Sequence, residues 1–244
     1  MNLPDFSFDK IKFATDGPTF EKAVALFETG KVNKVEEGIR SYTGVVIGTK
    51  PYRVSVEARN FQYASCSCYL GKNDTYCKHM LALAIYVVHD GKPLTDNDKK
   101  LVQNPVYSGK LGTLSDSELT AVKEKITAAM RYIKAYTGSS RTWFAYQNSL
   151  SEDCNRLSAI ISDLPVSIQT AELLVDLLLR LDKKLCTGGV DDSDGAVGGF
   201  IGEVVEVLQE FAKLAPSCIS AFDKLKNRET CFGWEKPLLT SMKD

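Results

Sequence analysis

The feature that most constrains this chain is the stretch CSCYLGKNDTYCKH, residues 66–79. It holds three of the seven cysteines and one of the two histidines. A disulfide framework, a catalytic thiol and a metal cage would each account for this crowding. These three kinds of site require different features elsewhere in the chain, so the remaining sequence helps to distinguish them.

Size and composition argue against a disulfide framework. A chain of 244 residues can bury a hydrophobic core as one large domain or two smaller ones, without covalent help. Its 44% hydrophobic and 25% charged residues are typical of a soluble globular protein. The first residues lack the pattern of a signal peptide, and the longest apolar run, MLALAIYVV, is too short to span a bilayer.

We therefore expect a cytoplasmic protein, in which thiols are kept reduced. In that compartment an odd number of cysteines counts further against a disulfide framework. Of the four cysteines outside the cluster, three lie at intervals of 32 residues: Cys154, Cys186 and Cys218. We expect these to be buried, reduced thiols that pack as small hydrophobic side chains.

The spacing within the cluster favours zinc, which takes four ligands tetrahedrally. Cys66 and Cys68 are one residue apart at the end of a predicted strand, so their side chains share a face. Cys77 and His79 repeat that spacing at the start of a predicted helix, and the intervening YLGKNDTY contains residues that favour a turn. The sequence thus predicts one zinc ion bound by these four residues. With every position taken by protein, the zinc would be structural.

A catalytic thiol would need a general base and an exposed thiolate with room for substrate. His79 could act as the base, but two of the three cysteines would then have no role. Accidental clustering of the four residues is the other alternative to zinc.

Around the cluster, the N-terminal part of the chain mixes helix and strand. Residues 19–29 have the spacing of a short amphipathic helix that ends at Gly30. Apolar residues alternate with polar ones at Val54, Val56 and Ala58, as in a strand with one solvent-exposed face. The predicted elements of this part are strands at 44–49, 52–58 and 61–68, forming an antiparallel meander, and a buried helix at 79–88.

The remainder of the chain is predicted to be helical. Residues 91–114 are rich in glycine and proline and read as a linker. Ser115 and Glu118 form a capping-box pattern, followed by apolar residues at helical spacing as far as Tyr136. Further helices are predicted at 150–163, 167–186, 198–214 and 216–226. The predicted fold class is α+β: a β-meander and helix zinc module (1–90), a linker (91–114) and an all-α helical domain (115–244).

The order C-x-C, short turn, C-x-H and an Ala/Leu-rich helix resembles the SWIM-type zinc finger. The preceding FEKAVALFETGKV and GVVIGTKPYRVSV are similar to the helix and strands that lead into that finger, so the resemblance covers residues 18–90. It implies a strand and helix zinc module whose ligands are Cys66, Cys68, Cys77 and His79. Such fingers accompany chromatin-remodelling ATPases, Mutator-like transposases, kinases and recombination accessory factors, and are proposed to bind DNA or proteins. The helical part resembles the C-terminal regions of small bacterial SWIM-finger proteins, which implies no activity.

Charge is unevenly distributed along the chain. The net charge is −1, yet residues 31–80 contain eight Lys and Arg against four Asp and Glu. Tyrosines interleave with these bases, and basic and aromatic side chains together can hold phosphates and stack on nucleobases. The candidate binding residues are Arg53, Lys72, Lys78 and Tyr69. The alternative is that the bases form a solvated face and the tyrosines pack over the zinc.

These observations predict a non-catalytic, zinc-organised adaptor that binds nucleic acid, a protein or both. The alternative is a regulatory subunit that docks on an enzyme through its helical half, with the finger only stabilising the fold. We expect neither enzymatic activity nor a small-molecule substrate, because no catalytic constellation is visible. We expect no membrane association.

Overall fold

The structure of the protein, a computed structural model, describes residues 4–138 and 143–241. The ends of the predicted zinc module and helical domain, residues 1–3 and 242–244, lie outside the described residues, as do residues 139–142. The chain divides into an N-terminal unit, Met1–Leu101, and a C-terminal unit, Val102–Asp244. Within the described ranges, no helix is long and apolar enough to cross a membrane.

In the N-terminal unit, two helices precede a sheet. Helix α1 spans Phe8–Lys12 and α2 spans Gly17–Glu28. The Asp16 side chain caps α2 by accepting from the backbone N–H of Thr19, and Gly30 follows the helix with φ of +65°. The predicted helix at 19–29 is therefore confirmed. Its predicted apolar face is buried: Phe20, Ala23, Val24 and Phe27.

A four-stranded antiparallel sheet follows, with its strands in chain order: β1 Val32–Glu37, β2 Ser41–Ile47, β3 Pro51–Glu57 and β4 Ser65–Cys66. In β3, Val54 and Val56 face the core, as the alternation predicts. The sequence pattern missed β1, because its residues are largely polar and exposed. The predicted third strand at 61–68 was too long. Phe61–Tyr63 is a 3₁₀ turn, and only two of the later residues pair with β3.

Helix α3, Tyr69–Lys72, has no buried residue, and helix α4, Lys78–His89, completes the core of the N-terminal unit. Helix α4 packs against β3 and β2 and against α2. Every residue from His79 to Ile85 is buried, which confirms the prediction of a buried helix. The metal-binding cluster therefore lies where the sheet and the start of this helix meet.

The predicted linker at 91–114 has ordered structure at both ends. Helix α5, Asp96–Lys99, begins with a capping box formed by Thr95 and Asp98. Farther along, Val106 N–H donates to Ser162 Oγ at 3.0 Å, and the Ser108 hydroxyl donates to the Leu164 carbonyl at 2.7 Å. Residues 106–114 thus belong to the C-terminal unit through hydrogen bonds that composition does not reveal.

In the described part of the C-terminal unit the regular structure is helical, apart from an isolated bridge between Leu111 and Val166. Its helices are α6 Asp116–Ala129, α7 Trp143–Ser162, α8 Ile168–Cys186, α9 Ala196–Leu214 and α10 Lys236–Thr240, with 3₁₀ segments at Pro216–Leu225 and Cys231–Gly233. The capping box of Ser115 and Glu118 is present. The periodic pattern predicted a longer α6, but Tyr132 N–H donates to Asp153 Oδ2 and Tyr136 N–H donates to the Gly189 carbonyl. The backbone therefore leaves the helix. The fold class is α+β, as predicted.

Candidate metal centre

The first two sulfurs of the cluster sit where β4 ends and α3 begins. Cys66 is held in the sheet by its pairing with Val54. Cys68 is the N-cap of α3, and its Sγ accepts the backbone N–H of Gly71 at 3.4 Å. The Sγ of Cys66 likewise accepts the backbone N–H of Cys68 at 3.4 Å. These N–H groups stabilise negative charge on sulfur, as outer-shell donors do around metal-bound thiolates.

The other two candidate ligands lie at the start of α4. Cys77 is its N-cap and His79 is its second residue. The N-terminal end of a helix favours negative charge, so the N-cap position of Cys77 suits a metal-binding thiolate. The His79 Nδ1 atom lies 3.9 Å from Cys66 Sγ, so the imidazole faces the sulfurs.

The four side chains form a closed cage. Their ligand atoms all lie within 4.8 Å of one another, and each residue is at most 7% exposed. Tetrahedral zinc, with bonds of about 2.3 Å to sulfur and about 2.0–2.1 Å to nitrogen, sets its ligand atoms about 3.6–3.8 Å apart. The separation of 3.9 Å between His79 Nδ1 and Cys66 Sγ is close to that value. The four residues predicted to be ligands are thus brought together.

The chemistry of this donor set fits zinc. Three thiolates and one imidazole are ligands that zinc prefers, whereas calcium and magnesium prefer oxygen. If Nδ1 binds the metal, Nε2 of His79 would carry the ring proton. It is buried, with no hydrogen-bond partner among the described residues. The cage supports a single structural zinc ion.

Ionisation of the sulfurs is coupled. A hydrogen bond with Cys66 lowers the pKa of Cys77 to about 4, although burial opposes this effect. The same hydrogen bond, together with burial, raises the pKa of Cys66. Without metal, the cluster therefore favours a thiolate at Cys77 that accepts a hydrogen bond from the thiol of Cys66. A zinc ion supplies the positive charge that ionises the remaining thiols, so its binding releases protons.

Two glycines that the sequence did not identify as part of the site shape the cage. A Cβ at Gly71 would lie 2.4 Å from the Cys66 carbonyl oxygen and 2.6 Å from the Cys66 Cβ. A Cβ at Gly48 would lie 2.6 Å from Nε2 of His79 and 3.1 Å from the ring of Tyr52. The Tyr52 ring itself packs on the imidazole, with ring centroids 4.4 Å apart. No periodic pattern marks these residues, because each matters through one close tertiary approach.

The candidate partner-binding residues all lie in the N-terminal unit. Arg53 is exposed on β3, Lys72 is exposed at the end of α3, and Lys78 is partly exposed at the start of α4. Within the described residues, none of these three cations has an acidic side chain within ion-pair distance. Tyr69, directly after the ligand Cys68, is 82% exposed.

The tyrosines of the cluster separate into two groups. Tyr76 is partly buried and stacks on Phe61, with ring centroids 5.2 Å apart and planes 23° apart. Tyr63 and Tyr69 are instead 67% and 82% exposed. The interpretation that all the tyrosines pack over the zinc is therefore wrong for these two.

Arg53 also borders a shallow concavity on the outer face of the sheet. This concavity has a volume of about 350 Å³. Its charged lining residues are Lys34, Glu36 and Arg53, and hydroxyl groups come from Thr43, Ser55 and Ser65. Two cations and three hydroxyls on an open face can donate hydrogen bonds to an extended anionic ligand.

Comparison with known proteins identifies the finger. The SWIM zinc finger family matches residues 52–87, a range that contains all four candidate ligands. No curated protein and no solved structure gives a significant match to the chain. The residues that form the cage in the structure are the same four that the order of ligands in the sequence predicted, and all lie within the matched range. Residues 52–87 are therefore a SWIM zinc finger.

Proposed function

We propose that this SWIM zinc-finger protein is a non-catalytic binding module that holds nucleic acid on the surface next to its zinc centre. The zinc cage supports a structural role for the metal, because four protein ligands leave no coordination position for water or substrate. The role of the metal would be to make this part of the surface rigid. It fixes the chain at 66–68 relative to 77–79, and so fixes the side chains that those segments carry.

The observation that carries the proposal is the pairing of Arg53 with Ser67, two residues before the exposed Tyr69. Arg53 N–H donates to Ser67 Oγ at 3.0 Å, and Ser67 N–H donates to the Arg53 carbonyl at 3.0 Å. Tyr69 follows two residues later, 82% exposed at the first position of α3. The backbone that leads to this exposed ring is thereby paired with the backbone of Arg53, a cation with no ion-pair partner among the described residues. Stacking of bases on aromatic rings, beside cations that contact phosphates, is how sequence-tolerant nucleic-acid binding sites work.

The concavity on the sheet extends this surface. Lys34 and Arg53 can each contact a phosphate, and the hydroxyls of Thr43, Ser55 and Ser65 can donate to phosphate oxygens. Glu36 lies in the same lining and opposes an anion. Replacing Glu36 with Gln should therefore tighten binding, since the change removes a repelling charge and preserves the shape of the side chain.

Fluorescence anisotropy tests the proposal, with zinc-loaded protein and labelled single-stranded and duplex oligonucleotides at two salt concentrations. Affinity should fall steeply with salt, because each neutralised phosphate releases counterions. Replacing Arg53, Lys72 and Lys78 together with alanine should weaken binding to all sequences. If each contacts one phosphate of duplex DNA, the slope of log K against log salt should become shallower by roughly 3.

The matched control removes the same charge from the C-terminal unit. Lys123, Lys125 and Lys183 are exposed, and their joint replacement by alanine should leave the salt slope unchanged. If both triple variants weakened nucleic-acid binding equally, the binding would depend on the net charge of the protein and not on the position of Arg53, Lys72 and Lys78. Absence of binding at low salt would reject the nucleic-acid function and favour the alternative, a regulatory subunit that docks on an enzyme through its helical half.

A further inference from the structure

Cys186 and Cys231, in the C-terminal unit, have an arrangement that the zinc finger does not explain. Cys154 and Cys218 are buried, as predicted, at 6% and 0% exposure. The same prediction is wrong for Cys186, which is exposed at the last position of α8 and forms a disulfide with Cys231. Their Cα atoms are 6.1 Å apart, within the range that disulfides require.

Hydrogen bonds, in addition to the bond between the sulfurs, hold Cys186 and Cys231 close together. Asp182 lies one turn before Cys186 on α8. Its Oδ1 accepts the backbone N–H of Cys231 at 2.8 Å and the indole N–H of Trp234 at 2.9 Å. Asp182 therefore positions the backbone at Cys231 against α8 independently of the sulfur–sulfur bond. Two thiols held in this way meet at a high effective concentration, which favours their oxidation to a disulfide.

The segment attached to Cys231 is anchored on one side and exposed on the other. Trp234 and Leu238 are buried in the core of the C-terminal unit, at 7% and 0% exposure. Between Cys231 and Trp234, Phe232 is 86% exposed with φ of +64°, and Gly233 has φ of +65°. A left-handed conformation is costly for a bulky residue and persists only where neighbouring contacts hold it.

We infer that Cys186 and Cys231 form a redox modification site, at which a peroxide produces a disulfide that clamps residues 230–234 onto the end of α8. In the oxidised protein, the clamp holds Phe232 outward in its left-handed conformation. In the reduced protein, the hydrogen bond from Cys231 N–H to Asp182 still holds the segment, but without the S–S bond the segment opens more readily. The accessible position of Cys186 gives oxidants and reductants a route to the pair.

The chemistry of oxidation balances with a peroxide, ROOH. The Cys186 thiolate attacks a peroxide oxygen, the O–O bond breaks, and the departing alkoxide takes a proton to give ROH and a sulfenic acid. The Cys231 thiol then attacks the Cys186 sulfur, its proton joins the departing hydroxyl as water, and the S–S bond forms. Two electrons pass from the two thiols to the peroxide. The Asp182 carboxylate, whose Oδ2 lies 3.7 Å from Cys186 Sγ, repels a thiolate and should slow the first attack.

The experiment uses the zinc-loaded, full-length protein, reduced and then treated with hydrogen peroxide. Mass spectrometry of alkylated, digested protein should find a peptide linking Cys186 to Cys231, and a reductant should remove the link. Because the link closes a loop across 45 residues, oxidation should raise the Tm of the C-terminal unit by roughly 5–10 °C. Asp182→Asn keeps an oxygen that can accept the hydrogen bonds of Cys231 and Trp234 but removes the charge, so this variant should be oxidised faster than the wild type.

Cys186→Ser and Cys231→Ser are the matched variants, and neither should show the shift in Tm. Three outcomes would overturn the inference. The first is alkylation of Cys186 to the same extent before and after peroxide. The second is a link that leaves Tm and the hydrogen exchange of residues 229–236 unchanged. The third is a second zinc ion per chain that Cys186→Ser removes, which would make Asp182, Cys186 and Cys231 metal ligands instead.

Discussion

The backbone of Gly48 lies against the imidazole of His79 so closely that a Cβ at Gly48 would come to 2.6 Å from Nε2. The ring cannot easily retreat, because Tyr52 packs on one side of it and its Nδ1 is directed at the sulfur cage. A glycine in the turn between β2 and β3 therefore sets the position of a zinc ligand.

Gly48→Ala should consequently weaken zinc binding by at least about tenfold, as loss of an outer-shell support typically does. Competition with a chromophoric chelator measures the affinity. The matched control is Gly44→Ala on the same sheet. Its added Cβ would meet the flexible end of Leu83 at 3.0 Å, which should lower stability and leave the affinity for zinc nearly unchanged. Equal zinc affinity in Gly48→Ala and the wild type would show that the imidazole can shift without cost.

Chelation of zinc should unfold the N-terminal unit and leave the C-terminal unit folded. The sulfurs belong to the core that contains α2, the sheet and α4, so removal of zinc would leave a buried thiolate there without the charge of the metal and would break the link between residues 66–68 and 77–79. Structural zinc contributes on the order of 10 kcal/mol to the folding of small modules. Both tryptophans, Trp143 and Trp234, lie in the C-terminal unit. Their fluorescence should therefore stay native while part of the helical circular dichroism is lost. A single transition shared by both signals would contradict separate folding of the units.

Asp153 should make the C-terminal unit less stable as the pH rises. Burial is the main cause that raises the pKa of Asp153 to about 6, although Tyr132 N–H and Arg156 oppose it. Since the unfolded chain releases this proton at lower pH, the folded state binds more protons between about pH 4 and pH 6. The contribution of Asp153 to the free energy of unfolding should fall by up to about 3 kcal/mol over that range.

Asp153→Asn removes this titration, so its stability relative to the wild type should rise with pH. Urea unfolding followed by tryptophan fluorescence at pH 4, 5, 6 and 7 measures the difference. A difference that is constant across pH would show that Asp153 stays ionised in the folded protein throughout.

Tyr69 should matter more for single-stranded than for duplex nucleic acid. Unpaired bases can stack on its exposed ring, and loss of one stacking contact costs about 1–3 kcal/mol, whereas paired bases are already stacked. Tyr69→Ala should weaken single-strand binding accordingly, and Tyr69→Phe should retain it because the ring remains. Equal losses for single-stranded and duplex oligonucleotides would argue against stacking. Because Tyr69 is 82% exposed, neither change should disturb the core.

The sequence predicted those features that local spacing determines. The repeat of C-x-C and C-x-H, with a turn between, was sufficient to identify Cys66, Cys68, Cys77 and His79 as a set. Helix α2 and the start of α6 followed from apolar spacing and a capping box. In each case the residues that determine the element are near neighbours in the chain.

The features that the sequence missed depend on distant residues. Gly48 acts through His79, 31 positions later in the chain. The early end of α6 depends on Asp153, which accepts a backbone N–H from Tyr132. The contact between Cys186 and Cys231 joins residues 45 positions apart, and no local pattern indicates it.

A single structural zinc ion held by three sulfurs and one nitrogen can be detected by X-ray absorption at the zinc K edge of the purified protein. We expect one zinc per chain, with three sulfur neighbours at about 2.3 Å and one nitrogen at about 2.0–2.1 Å. Cys77→Ser should lose stoichiometric zinc, whereas Cys154→Ser, which alters a buried thiol of the C-terminal unit, should keep the wild-type spectrum. A water or carboxylate oxygen bound to zinc in the wild type, or full zinc occupancy in Cys77→Ser, would show that the four residues are not the ligands of a closed structural site.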